Sequence, residues 1–264
     1  MARASHDVKY SSKIIKAGAL LPDTRLLLLE WDEGLDVQSN LDKVRQYNLF
    51  GKASRSRAED ILSVFKQRYL KDPDVLGALV TLTKGGMLAE SLNRIFYFQS
   101  ARSDPLLHDL VTEVFAEWSP RSDREIRVWE VQNWVDEQVA AGKTERPWSP
   151  AVQLRVVQGL LSALRDFGIL EGSVKKRLSY VYLPLGAFAF IAFQMHGEGR
   201  SGKGLLHDPE WQLFLLPEGA VERLFLEAHQ EGLLQYHAAG PVVRIDFPVH
   251  DLEEYALVLS RHEH

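Results

Sequence analysis

Residues 48–70 read NLFGKASRSRAEDILSVFKQRYL, and the way this stretch divides sets the fold class. Its first half is a Gly51-Lys52-Ala53-Ser54 turn, with Lys52, Arg55 and Arg57 close together. Its second half spaces Ile61, Leu62, Phe65 and Tyr69 as one face of an amphipathic helix. Ser54 or Ser56 supplies a capping hydroxyl, and Glu59 and Asp60 fall in the expected first turn, where carboxylates suit the dipole. Lys66 and Arg68 lie off the apolar stripe. Asp72-Pro73 closes the helix, because proline disfavours helical backbone in the residue before it.

The flanks repeat this pattern. Residues 1–10 read as loose chain, followed by helices near Ser12–Leu20 and Arg25–Asp32, the second stopped by Gly34. Asp36 caps a third helix, with Val37, Leu41, Val44 and Tyr47 or Asn48 on one face. Beyond the central stretch, Asp72-Pro73 opens a helix to Thr83. Met87–Ala101 is another, apolar around most of its circumference, and Asp104-Pro105 starts a further one ending near Trp118. Residues 1–120 therefore read as a helical bundle.

The order changes after Ser119-Pro120. A helix from about Asp123 to Ala141, the loop GKTERPW, a helix capped by Ser149-Pro150, and a hairpin over 169–183 give the order of a winged helix-turn-helix, assigned to 121–184. Residues 185–264 repeat it more loosely, with a hairpin over 233–247 and a last, acidic helix from Asp251 to Leu259. The two junctions, Phe167-Gly168-Ile169-Leu170 and Glu231-Gly232-Leu233-Leu234, have one shape. The predicted fold class is mainly α: an N-terminal helical bundle followed by winged-helix-like units with short β-hairpins.

Composition limits the function. The 264 residues are 45% hydrophobic and 25% charged, ordinary for a globular chain. Without cysteine, disulfides and thiolate metal sites are excluded. MARASHDVKYSSK lacks the apolar core of a signal peptide, and the longest apolar run, Leu183–Phe193, is too short to span a bilayer, so a cytoplasmic location with no membrane contact is expected. The net charge of −5 is unevenly spread: residues 1–204 carry +3 and residues 205–264 carry −8. That permits nucleic-acid binding on one face, and equally describes a solvated acidic end.

With Lys13-Ile14-Ile15-Lys16-Ala17-Gly18-Ala19 ahead of it, the central stretch resembles the BrxA family, small accessory proteins of bacterial BREX phage-defence systems. The resemblance rests on the KAGALL opening, the Leu-rich helix containing Glu30, and Asn48-Leu49-Phe50 followed by Lys52-Ala53-Ser54-Arg55-Ser56-Arg57 and Arg68-Tyr69-Leu70. It covers residues 10–71 and thins toward residue 200. It implies a non-enzymatic, mostly helical, DNA-binding component of a defence locus, with other BREX proteins as partners. It supplies no catalytic residue.

Gly197-Glu198-Gly199-Arg200-Ser201-Gly202-Lys203-Gly204 nearly fits the phosphate-binding G-x-x-x-x-G-K-[ST]. Gly204 replaces the metal-binding hydroxyl, and a helix rather than a strand precedes the loop, so it reads as a flexible linker. Seven of the nine histidines lie between His196 and His264, without the i, i+4 spacing of metal ligands. Glu30, Asp32, Glu33 and Asp36 read as solvated charges. No metal, cofactor, small-molecule substrate or catalytic group is expected.

Two basic clusters remain. Lys52, Arg55 and Arg57, near Lys43 and Arg45, form the first, and Lys175, Lys176 and Arg177 at the predicted wing tip form the second. Lysine and arginine displace counterions from double-stranded DNA, so both clusters are expected to touch phosphates. Gln153, Arg155 and Gln158 on the Ser149-capped helix could reach a groove. Two other readings stand beside this one. The turns are ordinary solvated turns, or Arg55 and Arg57 are buried against carboxylates such as Asp32 or Asp36. In function, DNA binding without catalysis stands against a protein–protein adaptor docking other defence subunits through the winged-helix and acidic surfaces.

Overall fold

Side-chain caps start several of the helices among the described residues. Asp36 accepts the Ser39 N–H ahead of α3 (Val37–Tyr47), and Ser54 accepts that of Arg57 ahead of α4 (Arg55–Tyr69). Asp72 caps α5 (Pro73–Lys84), Asp104 caps α7 (Pro105–Asp109) and Ser149 caps α10 (Pro150–Asp166). Each oxygen satisfies a backbone donor the helix leaves unpaired. The computed structural model describes residues 9–118, 124–217 and 219–262. Its remaining helices are α1 (Ile14–Ala17), α2 (Leu21–Leu29), α6 (Ala89–Ser103), α8 (Ala116–Trp118), α9 (Val128–Ala140), α11 (Leu185–Gly197), α12 (Gly202–Leu206), α13 (Ala220–Gln230) and α14 (Leu252–His262). A π-helical stretch, Leu110–Phe115, joins α7 to α8, and a 3-10 stretch spans Pro209–Phe214. The strands are β1 (Glu125–Ile126), β2 (Leu170–Glu171), β3 (Lys176–Leu178), β4 (Gln235–Ala239) and β5 (Val242–Asp246).

The chain is mainly α, as expected, with both hairpins present. β2 and β3 pair antiparallel, as do β4 and β5. The two junctions before them match in detail. Ile169 N–H donates to Leu164 O at 2.9 Å, and Leu233 N–H to Ala228 O at 2.9 Å. Both bonds turn on a left-handed glycine, Gly168 or Gly232, the conformation that ends a helix while satisfying its last carbonyls.

In place of three consecutive segments, 1–120, 121–184 and 185–264, the chain forms two interleaved units. The first joins the stretch up to Ala19 with Ser100–Val181. There α1 packs on α10, and α10 on α9. Tyr10 is buried, its hydroxyl donating to Asp109 Oδ2 at 2.6 Å and its backbone bonding Lys143 and Glu145, so the start of the described chain is fixed rather than loose. β1 adds to the hairpin edge, giving a three-stranded sheet in the order β1-β3-β2. That strand occupies residues where the sequence predicts helix, and α9 begins at Val128 rather than near Asp123, which lies outside the described residues.

The second unit joins Leu20–Gln99 with Tyr182–His264. At its centre α11 buries every side from Gly186 to Met195. Phe193 stacks on Tyr255 of α14 at 4.5 Å, Phe188 meets Phe225 of α13 at 4.8 Å, and Gln194 accepts from Gln99 of α6 at 2.5 Å. A helix apolar all round must be covered all round, so segments from both halves of the chain close over it. Among the described residues no helix is long and apolar enough to cross a membrane.

Several boundaries and faces differ from expectation. α2 begins at Leu21, since Pro22 belongs inside its first turn. On α3 the buried set is Asn40, Leu41 and Val44, while Val37 and Tyr47 are exposed, because Asn40 bonds the carbonyls of Asp32, Leu35 and Asp36. Leu88 is exposed ahead of α6, and Arg68 is buried on α4. Ser54 capping puts Glu59 and Asp60 beyond the first turn of α4. The glycine-rich 197–204 segment is ordered: Arg200 pairs with Glu198 and, at 2.5 Å, with Asp208, and α12 begins inside the segment.

In the second unit the end of α5 packs closely against α14. A Cβ on Gly85 would lie 2.8 Å from Ser260 Cβ. Gly85→Val is therefore expected to lower stability by about 1–3 kcal/mol, the usual cost of overpacking. A denaturant titration reads it, and an unchanged midpoint would contradict the contact.

Candidate nucleic-acid interface

Asn48 ends α3 in a left-handed conformation, and its side chain closes the next turn by accepting from Lys52 N–H at 3.1 Å and donating to Lys52 O at 3.2 Å. The turn lies beside an open groove of about 590 Å³ lined by Asp42, Arg45, Lys52, Arg55 and Glu59 among others. Its charges are largely matched. Arg45 grips Glu59 at 2.7 and 3.1 Å and Asp42 at 2.7 Å, and Lys52 Nζ lies 2.8 Å from Asp23. The hydrogen bond from Arg45 holds the Glu59 carboxyl below the usual carboxylate range. Arg55 and Arg57 are both exposed, so the reading that buries them against Asp32 or Asp36 does not hold. Asp36 instead accepts from the Ser39 backbone and hydroxyl, and Glu33 pairs with Lys84 at 2.7 Å.

In the first unit, α10 buries Val156, Val157, Leu160, Leu161 and Leu164. Its opposite side exposes Arg155 and Gln158, with Gln153 half-buried. Residues 172–175 connect β2 to β3. Gly172 is left-handed, and a Cβ there would overlap the Lys175 carbonyl oxygen, so the loop is pinched at its base. Lys176 Nζ donates to Ser173 O at 2.9 Å across the loop.

Strand register sorts the wing-tip cations. Arg177 stands opposite Glu125 on β1 and Glu171 on β2, all three on one face. Directly opposed side chains have Cβ atoms about 4.5–5.5 Å apart, so Glu125 and Glu171 are the cross-strand neighbours of Arg177, which is itself exposed. Lys176 stands opposite Ile126 on the other face. Lys175 projects from the exposed loop.

Gln153, Arg155, Lys175, Lys176 and Arg177 belong to the first unit, and Lys52, Arg55 and Arg57 to the second. The sequence reading missed Arg127. It is exposed and follows Ile126, the partner of Lys176, so it stands at the tip end of the sheet beside Lys175. A two-residue strand leaves no alternation to detect, and only the register reveals the neighbour. Arg124, also missed, lies over the Trp118 ring at 4.1 Å and pairs with Glu130. Among the described residues no group of three or more histidines, aspartates or glutamates is placed to hold a metal ion.

Gly172→Ala is expected to cost about 1–3 kcal/mol, the range for a side chain forced into a left-handed position. Thermal melting of the purified chain checks it, and a melting point equal to the parent's would show that the loop is not pinched as described.

Comparison with curated proteins finds no match to the chain. A protein-family model described as BrxA matches residues 8–194. That match takes in the central stretch, α10 and the first hairpin, and stops inside α11. The chain therefore belongs to the BrxA family, and so to the components of BREX phage defence.

Proposed function

We propose that this protein binds duplex DNA without catalysis, as a cytoplasmic component of BREX defence that works alongside other BREX proteins. The observation that carries the reading is the first hairpin: a pinched loop with Lys175, Lys176 and Arg127 at one end, in the same unit as a helix exposing Arg155 and Gln158. Taken with α9 and α10, this is the helix–loop–helix–hairpin order of a winged helix-turn-helix, in which the second helix enters a groove and the wing meets the backbone. The contacts are mainly to phosphate. Arg177 contributes less, because Glu125 and Glu171 stand opposite it in the strand register and offset part of its field. Lys52 is likewise engaged with Asp23, while Arg55 and Arg57 are both exposed on the central stretch.

A second reading, docking of another defence protein on the C-terminal surface, is favoured by exposed Leu226 on α13 and Leu257 on α14. They lie among the acidic residues of a segment beyond the family match.

The two separate in a duplex titration over a range of salt. Each phosphate contact contributes a log-log slope of roughly −0.9 on duplex DNA. Arg127→Ala with Lys175→Ala should weaken binding to all sequences and flatten that slope by about 2 units, while Arg177→Ala should shift it by less than about 1 unit. A parent chain that does not bind duplex at low salt, or a double variant with the parent's slope, would overturn the DNA reading.

A further inference from the structure

We propose that Val174, at the tip of the first hairpin, enters the minor groove of duplex DNA as an apolar wedge, with Arg127 and Lys175 on the flanking phosphates. This rests on the DNA-binding reading and adds the groove and the residue that reads it.

Val174 is 92% exposed, the highest value among the exposed large hydrophobic residues. A loop tip without packing partners is ordinarily polar, and this loop is otherwise Gly172, Ser173 and Lys175. The loop that carries it is held on both sides. Gly172 and the Lys175 carbonyl close the base of the loop, and Lys176 Nζ ties to Ser173 O at 2.9 Å. Valine, branched at Cβ, is itself stiff at χ1. A rigid apolar tip of this kind loses little conformational entropy on insertion.

Shape and charge select the occupant. The minor groove is about 6 Å wide, too narrow for the helix or two-stranded ribbon that the major groove takes, so what enters is a single side chain at the tip. Its negative potential, strongest where A-tracts narrow it, favours cations beside the inserted group. Apolar wedges flanked by lysine or arginine are how minor-groove proteins part a base step. Here the cations sit on both chain segments around the tip, Lys175 within the loop and Arg127 on the neighbouring strand's extension. Arg177, two residues beyond Lys175, stands opposite Glu125 and Glu171 and farther from the tip, and takes no part.

The test uses the full chain on a labelled duplex. Val174→Ala should weaken binding roughly tenfold, the loss expected for two buried carbons. Its salt slope should equal the parent's, because no phosphate contact is removed. Val174→Thr keeps the shape and adds a hydroxyl, and should weaken binding as well. Netropsin, which fills the minor groove, should displace the parent protein, and 2-aminopurine placed at the contacted step should brighten on binding. A parent that binds with the expected salt dependence, while Val174→Ala binds equally well or netropsin displaces nothing, overturns the wedge and leaves the DNA reading intact. A parent that binds no duplex overturns both. An equal melting temperature for Val174→Ala and the parent excludes misfolding as the cause of any loss.

Discussion

The second unit depends on covering α11. This helix presents Phe188, Phe190, Ile191, Phe193 and Met195 to every side, and all five are buried. A single neighbouring layer covers one stripe of a helix, so a fully apolar helix needs several. The C-terminal helices supply aromatic partners on two sides, Phe225 from α13 and Tyr255 from α14, and α6 contributes Gln99 to the polar Gln194. α14 in turn packs tightly on α5 at Gly85. The last helix of the chain is therefore part of the core that residues 20–99 begin, and the acidic surface of 205–262 is the outer side of that core.

Electrostatics separates cations that hold the fold from cations that face solvent. Arg45 links α3 to α4 through Glu59, Lys52 reaches back to Asp23 in α2, and Arg200 draws Glu198 and Asp208 together around the glycine-rich segment. Partly exposed pairs of this kind contribute modestly to stability, but each reduces the positive field available to a polyanion. In the first unit the same sorting is done by strand register, which sets Arg177 between two glutamates and leaves Lys175 and Arg127 at the tip. A dense run of basic letters thus overstates the charge that the surface presents.

Local chemistry was readable in the sequence. Asp36, Ser54, Asp72, Asp104 and Ser149 cap the helices they were expected to cap, and Gly168 and Gly232 turn helices into hairpins through the same bond. Long-range partnership was not readable. Nothing in the spacing of Leu252–His262 indicates α5 as its neighbour, since the contact rests on the absence of a side chain at Gly85. β1 was hidden because two residues carry no periodicity, and with it Arg127 and the glutamates that stand opposite Arg177. The 197–204 segment was misread as flexible because glycine content says nothing of Arg200 and its two carboxylates.

Whether the surface that meets DNA is the first hairpin with α10, or whether the protein instead works through its acidic C-terminal side, is decided most directly by amide hydrogen exchange with and without duplex DNA at low salt. The account predicts slower exchange on DNA addition over residues 172–178 and at the start of α10, with α13 and α14 unchanged. Protection confined to α13 and α14, or no change anywhere at saturating DNA, would contradict it.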